Sequence, residues 1–130
     1  MIKEAYCSYE VSKLLKEKGF DACVYTCYSV EEYPQFMTMV DYVVQDEIYE
    51  RFGKDCCLIQ APTHQMAMAW LREVHNIHCT IDIGYCGKAV YFSNIFSTKK
   101  SGALYNETGY YNSYEEAVET ALKYTLENLI

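Results

Sequence analysis

A chain of 130 residues is long enough for one domain with its own core and short for two, so a single domain over residues 1–130 is expected. Its apolar content of 51%, with 14 tyrosines, excludes a disordered chain. A formal charge of −7 argues against direct nucleic-acid binding, which needs a basic surface for the phosphates, and leaves open an acidic protein that occupies a nucleic-acid-binding partner.

Ser8 to Lys18 predicts the first helix, with Cys7, Val11, Leu14 and Leu15 on one face. Lys13, Lys16 and Lys18 gather towards its end, where the helix dipole favours cations. Gly19 fits the left-handed closing position, and Phe20 then folds back on Leu15. Ala22 to Tyr28, rich in Cys, Tyr, Val and Thr, predicts a strand with both faces apolar, broken by Glu31-Glu32-Tyr33-Pro34. Phe36 to Gln45 alternates imperfectly and predicts a second strand, a helix being the alternative. Asp46 to Phe52 predicts a short helical turn closed by Gly53, and Lys54 to Gln60 an extended segment.

Ala61 to Ile77 holds the only Trp and the clearest helical pattern. Thr63 is the expected N-cap and Asn76 the left-handed ending. At about 100° per residue, Met66, Ala67, Trp70, Leu71 and Val74 fall on one stripe, which predicts an inward face with Trp70 in the core. Ile77 to Tyr85 alternates as a strand, with Ile77, Cys79, Ile81, Ile83 and Tyr85 expected inward. Cys86-Gly87 makes a tight turn, and Lys88 to Phe96 returns as the hairpin partner. Ser97 to Asn112 reads as a long loop. Ser113 to Ile130 is the last helix, opened by the capping box Ser113-Tyr-Glu-Glu116. Tyr114, Val118, Ala121, Leu122, Thr125 and Leu129 form its expected buried stripe, with Glu119 and Lys123 paired on the other side. The fold class is therefore α+β, an antiparallel sheet with helices on one face, in the order α-β-β-α-β-β-α.

Three segments in this order and spacing carry a resemblance: Lys13-Leu-Leu-Lys-Glu-Lys-Gly-Phe20, the 61–77 stretch, and Ser113-Tyr-Glu-Glu-Ala117. With them the chain resembles a family of small uncharacterised α+β proteins of gut Bacteroides-type bacteria and their phages or prophages. The resemblance implies an intracellular bacterial or phage protein and carries over no catalytic residue.

Chemistry-bearing residues are plentiful, but their spacing is poor. His75, His78 and Cys79 lie close together, yet His78 and Cys79 point to opposite faces of one strand. The pairs Cys23/Cys27 and Cys56/Cys57 lack the Cys-x2-Cys spacing of zinc sites, so no metal is expected. Cys56 or Cys57 with His64 would be the nucleophile and base of a small Cys/His enzyme, without any nucleophile signature around them. Glu31-Glu32, Asp46-Glu47 and Glu115-Glu116 read as turns or helix starts rather than as acid/base pairs. With no Gly-rich phosphate loop, no cofactor is expected. The seven Cys, without a signal-peptide pattern or a membrane-spanning apolar run, lead to an expectation of reduced thiols in a cytoplasmic protein with no membrane partner. The leading expectation is a non-enzymatic binding or accessory protein with a protein partner or a second copy of itself. Met68, on the polar side of the central helix, and Tyr110 and Tyr111, in the long loop, are its candidate partner contacts. The competing expectation is that Met68 is covered by its own chain and the tyrosines pack locally. Small-enzyme chemistry at a Cys/His or acidic site is the alternative function.

Overall fold

The computed structural model describes residues 2–21, 26–29, 36–38, 58–98, 103–106 and 109–130. They fall into two compact units, residues 6–62 and residues 1–5 with 63–130. The predicted turn over 46–52, the Glu31-Glu32 break, Cys23, Cys56, Cys57 and most of the 36–45 segment lie outside the described residues.

The unit of residues 6–62 is built on helix α1, Tyr9–Glu17. Ser8 caps it, its side chain accepting from Val11 N–H. Gly19, at φ 91°, closes it: Gly19 N–H donates to Lys16 O at 3.2 Å and Phe20 N–H to Leu15 O at 2.9 Å, the two bonds of a Schellman ending. Three short strands, β1 (Thr26–Ser29), β2 (Phe36–Thr38) and β3 (Leu58–Gln60), pair antiparallel in the order β2-β1-β3. Cys27 stands opposite both Met37 and Gln60. α1 packs on β3, with Val11 and Leu15 buried. The Tyr28 hydroxyl donates to Cys7 O at 2.7 Å, and the rings of Tyr9 and Tyr28 meet edge to face at 5.8 Å.

The unit of residues 1–5 and 63–130 holds helix α2 (His64–His75), strands β4 (Ile77–Tyr85), β5 (Ala89–Ser97) and β6 (Ala103–Asn106), and helix α3 (Tyr114–Asn128). The strands pair antiparallel in the order β4-β5-β6. The α+β class and the α-β-β-α-β-β-α order hold, each strand pair gaining one short extra strand. β6 lies inside the segment read as a loop, which lacks a sustained apolar alternation. Among the described residues no helix is long and apolar enough to cross a membrane.

α2 starts and stops where its caps predict. Thr63 accepts from Met66 N–H, and Asn76 takes the left-handed conformation at φ 56°. Trp70 is buried, its ring edge to face with His75 at 4.7 Å. The buried stripe, however, is His64, Ala67, Met68 and Leu71, while Met66 and Val74 are exposed. The helix is turned about its axis from the expected stripe, so Met68 is a core residue and not a surface contact. On the helical wheel Trp70 and Met68 stand at the two edges of this buried face, with Ala67 and Leu71 at its centre.

On α3, Ser113 accepts from Glu116 N–H at 3.1 Å, and Ala117, Val118, Ala121, Leu122, Thr125 and Leu126 are buried. Tyr114 is 41% exposed, its ring set edge to face against Tyr91. α2 and α3 cover one face of the sheet, that of Ile77, Cys79, Ile95 and Ser97. Thr125 Oγ1 lies 3.8 Å from Cys79 Sγ across that layer.

Candidate functional site

The hairpin outruns its helical cover. Along the inner face of β4, exposure rises from 3% at Ile77 to 65% at Ile83 and 84% at Tyr85. The prediction of five inward residues therefore holds for the near half of the strand and fails for Ile83 and Tyr85. Alternation fixes which residues share a face but not how far a neighbouring helix reaches.

The opposite face of the same end forms a groove of about 500 Å³ lined by Gly84, Tyr85, Cys86, Lys88, Val90, Phe92 and Tyr110. Register explains the lining: Gly84 stands opposite Val90, and Asp82 opposite Phe92, on the face away from the helices. Gly87, at φ 72°, lets the turn close, with Cys86 N–H donating to Lys88 O at 3.0 Å. Gly84 forms the floor. A Cβ there would stand 3.4 Å from Val90 Cγ2 and 3.7 Å from Phe92 Cε1, inside the space the groove now leaves.

Tyr111 brings the last wall into place. Its backbone exchanges two 2.8 Å hydrogen bonds with Tyr91, which fixes the neighbouring Tyr110 over the outer face. The Tyr110 ring meets Phe92 edge to face at 5.6 Å yet remains 73% exposed. Of the three predicted contacts, Tyr110 lines an open surface, Tyr111 is a half-buried anchor, and Met68 is buried. Sequence reasoning missed the groove itself, although the run Ala89-Val90-Tyr91-Phe92, apolar on both faces of a strand, is a signal of it.

A second polar constellation joins α2 and α3. His64 is buried, and its Nε2 lies 3.0 Å from Glu119 Oε1. Glu119, predicted on the solvated face of the last helix, thus turns towards the first residue of α2. His64 N–H donates to Ala5 O at 3.0 Å, which ties the leading segment to the same spot.

Cys56 and Cys57, the predicted nucleophiles, lie outside the described residues. Among the described residues Cys7, Cys27, Cys79 and Cys86 are thiols. Burial pushes the Cys27 thiol up to about 11, away from the thiolate form a nucleophile needs. Cys86 is exposed on the hairpin turn. His78 and Cys79 stand opposite Phe96 and Ile95 respectively, on the two faces of β4, as their spacing predicts. Glu115 and Glu116 occupy the exposed first turn of α3. No protein family, curated protein or solved structure matches this chain.

Proposed function

We propose that this chain is a non-enzymatic binding protein that receives an apolar or aromatic side chain, with a carboxylate beside it, from a protein partner. The carrying observation is the groove at the hairpin end, walled by Phe92 and Tyr110 and floored by Gly84. Aromatic walls offer contact area with few rotatable bonds to immobilise, and they recur at protein–protein contacts. Lys88 is the one charged residue of the lining, so a neighbouring carboxylate complements it in a chain that is otherwise strongly acidic. The enzyme alternative needs a nucleophile beside the His64–Glu119 pair; Cys56 and Cys57 lie outside the described residues, and Cys27 is held protonated by burial. An intracellular, phage or prophage setting is part of the proposal and rests on the sequence resemblance alone.

The test is affinity capture by the full chain from lysate of a Bacteroides-type bacterium, run beside Tyr110→Ser and Lys88→Glu. One protein retained by the native chain and lost with both variants supports the groove. Equal capture by all three chains, or none by any, overturns it.

A further inference from the structure

The hairpin end carries a second surface, on the face opposite the groove. Tyr91 stands directly across from Ile83, and Ala89 across from Tyr85, so these four side chains share the helix-side face of the sheet. Ile83 and Tyr85 are 65% and 84% exposed, and Ala89 is exposed beside them. Helix α3 begins at the border of this shelf. Its first residue, Tyr114, sets its ring edge to face against Tyr91 at 6.2 Å and stays partly exposed. From there α3 runs towards the covered end, where Thr125 lies against Cys79. Charge marks the same border. Glu115, next after Tyr114, is exposed, and among the described residues its carboxylate forms no ion pair. It lies one turn before Glu119 on the same side of α3. Glu119 meets His64, the first residue of α2, and α2 runs on to the covered end, where Asn76 leads into Ile77. Glu115 therefore stands beyond the start of α2. Lys88, the nearest lysine in sequence, belongs to the other face with Gly84 and Val90.

We infer that this shelf docks an arginine side chain of a protein partner. Tyrosine faces attract a cation laid over them, and guanidinium, being flat, stacks on them as an ammonium does not. Its planar fork matches a carboxylate with two parallel N–H donors, which Glu115 accepts at the border. Its aliphatic stem covers the exposed Ile83 side chain. A chain of net charge −7 draws basic segments to its surface in general, and the apolar, aromatic shelf beside one unpaired carboxylate selects where an arginine settles. The inference does not rest on the groove. The two surfaces share only Tyr85, and they complement side chains of opposite charge, a carboxylate at Lys88 and a guanidinium at Glu115.

The test is an NMR titration of the full, isotope-labelled chain with two peptides at millimolar concentration, acetyl-Gly-Arg-Gly-amide and acetyl-Gly-Lys-Gly-amide. The arginine peptide is expected to give saturable amide shifts centred on Ile83, Tyr91, Tyr114 and Glu115, and to bind more tightly than the lysine peptide. Tyr114→Leu removes a ring and keeps apolar bulk, and Glu115→Gln removes the carboxylate; each is expected to weaken the arginine peptide about two- to fivefold. Circular dichroism and Trp70 fluorescence check that both variants fold, and should Tyr114→Leu fail to fold, Glu115→Gln and the lysine comparison still decide. Glu127→Gln makes the same change in net charge at the far end of α3 and is expected to leave binding unchanged. Tyr110→Ser, which removes a wall of the groove, is also expected to leave it unchanged, so the two proposals fail separately. Absence of saturable shifts, shifts spread over the acidic surface, equal affinity for the two peptides, or equal weakening by Glu115→Gln and Glu127→Gln overturns the inference.

Discussion

Gly84→Ala separates stability from binding because the two are expected to move in opposite directions. A glycine within a strand costs roughly 0.5–1 kcal/mol relative to alanine, through the freedom it loses on folding. The added Cβ meets Val90 Cγ2 at 3.4 Å and Phe92 Cε1 at 3.7 Å, ordinary contact distances worth only about 0.1–0.2 kcal/mol each. The net expectation is a gain of about 0.5–1 kcal/mol, a rise in melting temperature of roughly 2–5 °C for a chain of this size. The same carbon stands on the groove floor and raises it. Anilinonaphthalene sulfonate is a suitable probe, since its flat rings match the aromatic walls and its sulfonate matches Lys88. Thermal melts followed by circular dichroism and fluorescence titrations of the folded protein give the two readouts. Lys88→Gln controls for charge, weakening the probe without moving the melt. A lower melting temperature in Gly84→Ala refutes the open floor, and unchanged probe binding refutes the groove as a site.

Two further outcomes are expected. Removing Glu119 takes the acceptor from the buried His64 ring; a hydrogen bond to a charged group is worth about 1.5–3 kcal/mol, less here because Glu119 is 26% exposed. A double-mutant cycle with His64→Leu and Glu119→Leu, read by urea denaturation at fixed pH, should give a coupling of about 1–2 kcal/mol; independent effects would show that the contact contributes nothing. The second concerns Cys27. With its thiol raised by burial from 9.0 to about 11, its thiolate fraction near neutral pH is lowered about 100-fold. Iodoacetamide labelling mapped by mass spectrometry should modify Cys86 quickly and Cys27 only after unfolding. The folded thiol keeps a proton that the unfolded thiol releases, so this group's contribution to stability is intact below pH 9 and lost as pH rises through about 11. Fast labelling of Cys27 in the native protein would contradict its burial.

What was legible in the sequence is what short stretches decide by themselves. Thr63 and Ser113 cap their helices because a side-chain oxygen needs only a backbone N–H three residues on. Gly19 and Asn76 end helices because the left-handed conformation is a property of one residue. The alternation in β4 likewise assigned its two faces. Failures begin where two elements meet. Met68 and Val74 exchange places because the roll of α2 depends on what it packs against, and its pattern of Met, Ala, Trp, Leu and Val tolerates several rolls. Glu119 also meets a histidine 55 residues away, a pairing no local rule contains.

The groove arises from the same cause on a larger scale. Ile83 and Tyr85 have the composition of core residues, and only the relative lengths of a hairpin and the helices beside it leave them in solvent. Strands of nine residues span about 30 Å, and α2 and α3 cover the near part of that span. The exposed remainder is apolar on both faces, through Ile83 and Tyr85 on one and Val90, Phe92 and Tyr110 on the other. A hairpin that served only to complete the core would not need apolar residues past the end of its cover, since polar side chains there would cost no packing. The apolar overhang is therefore the feature on which the proposed contact surface rests.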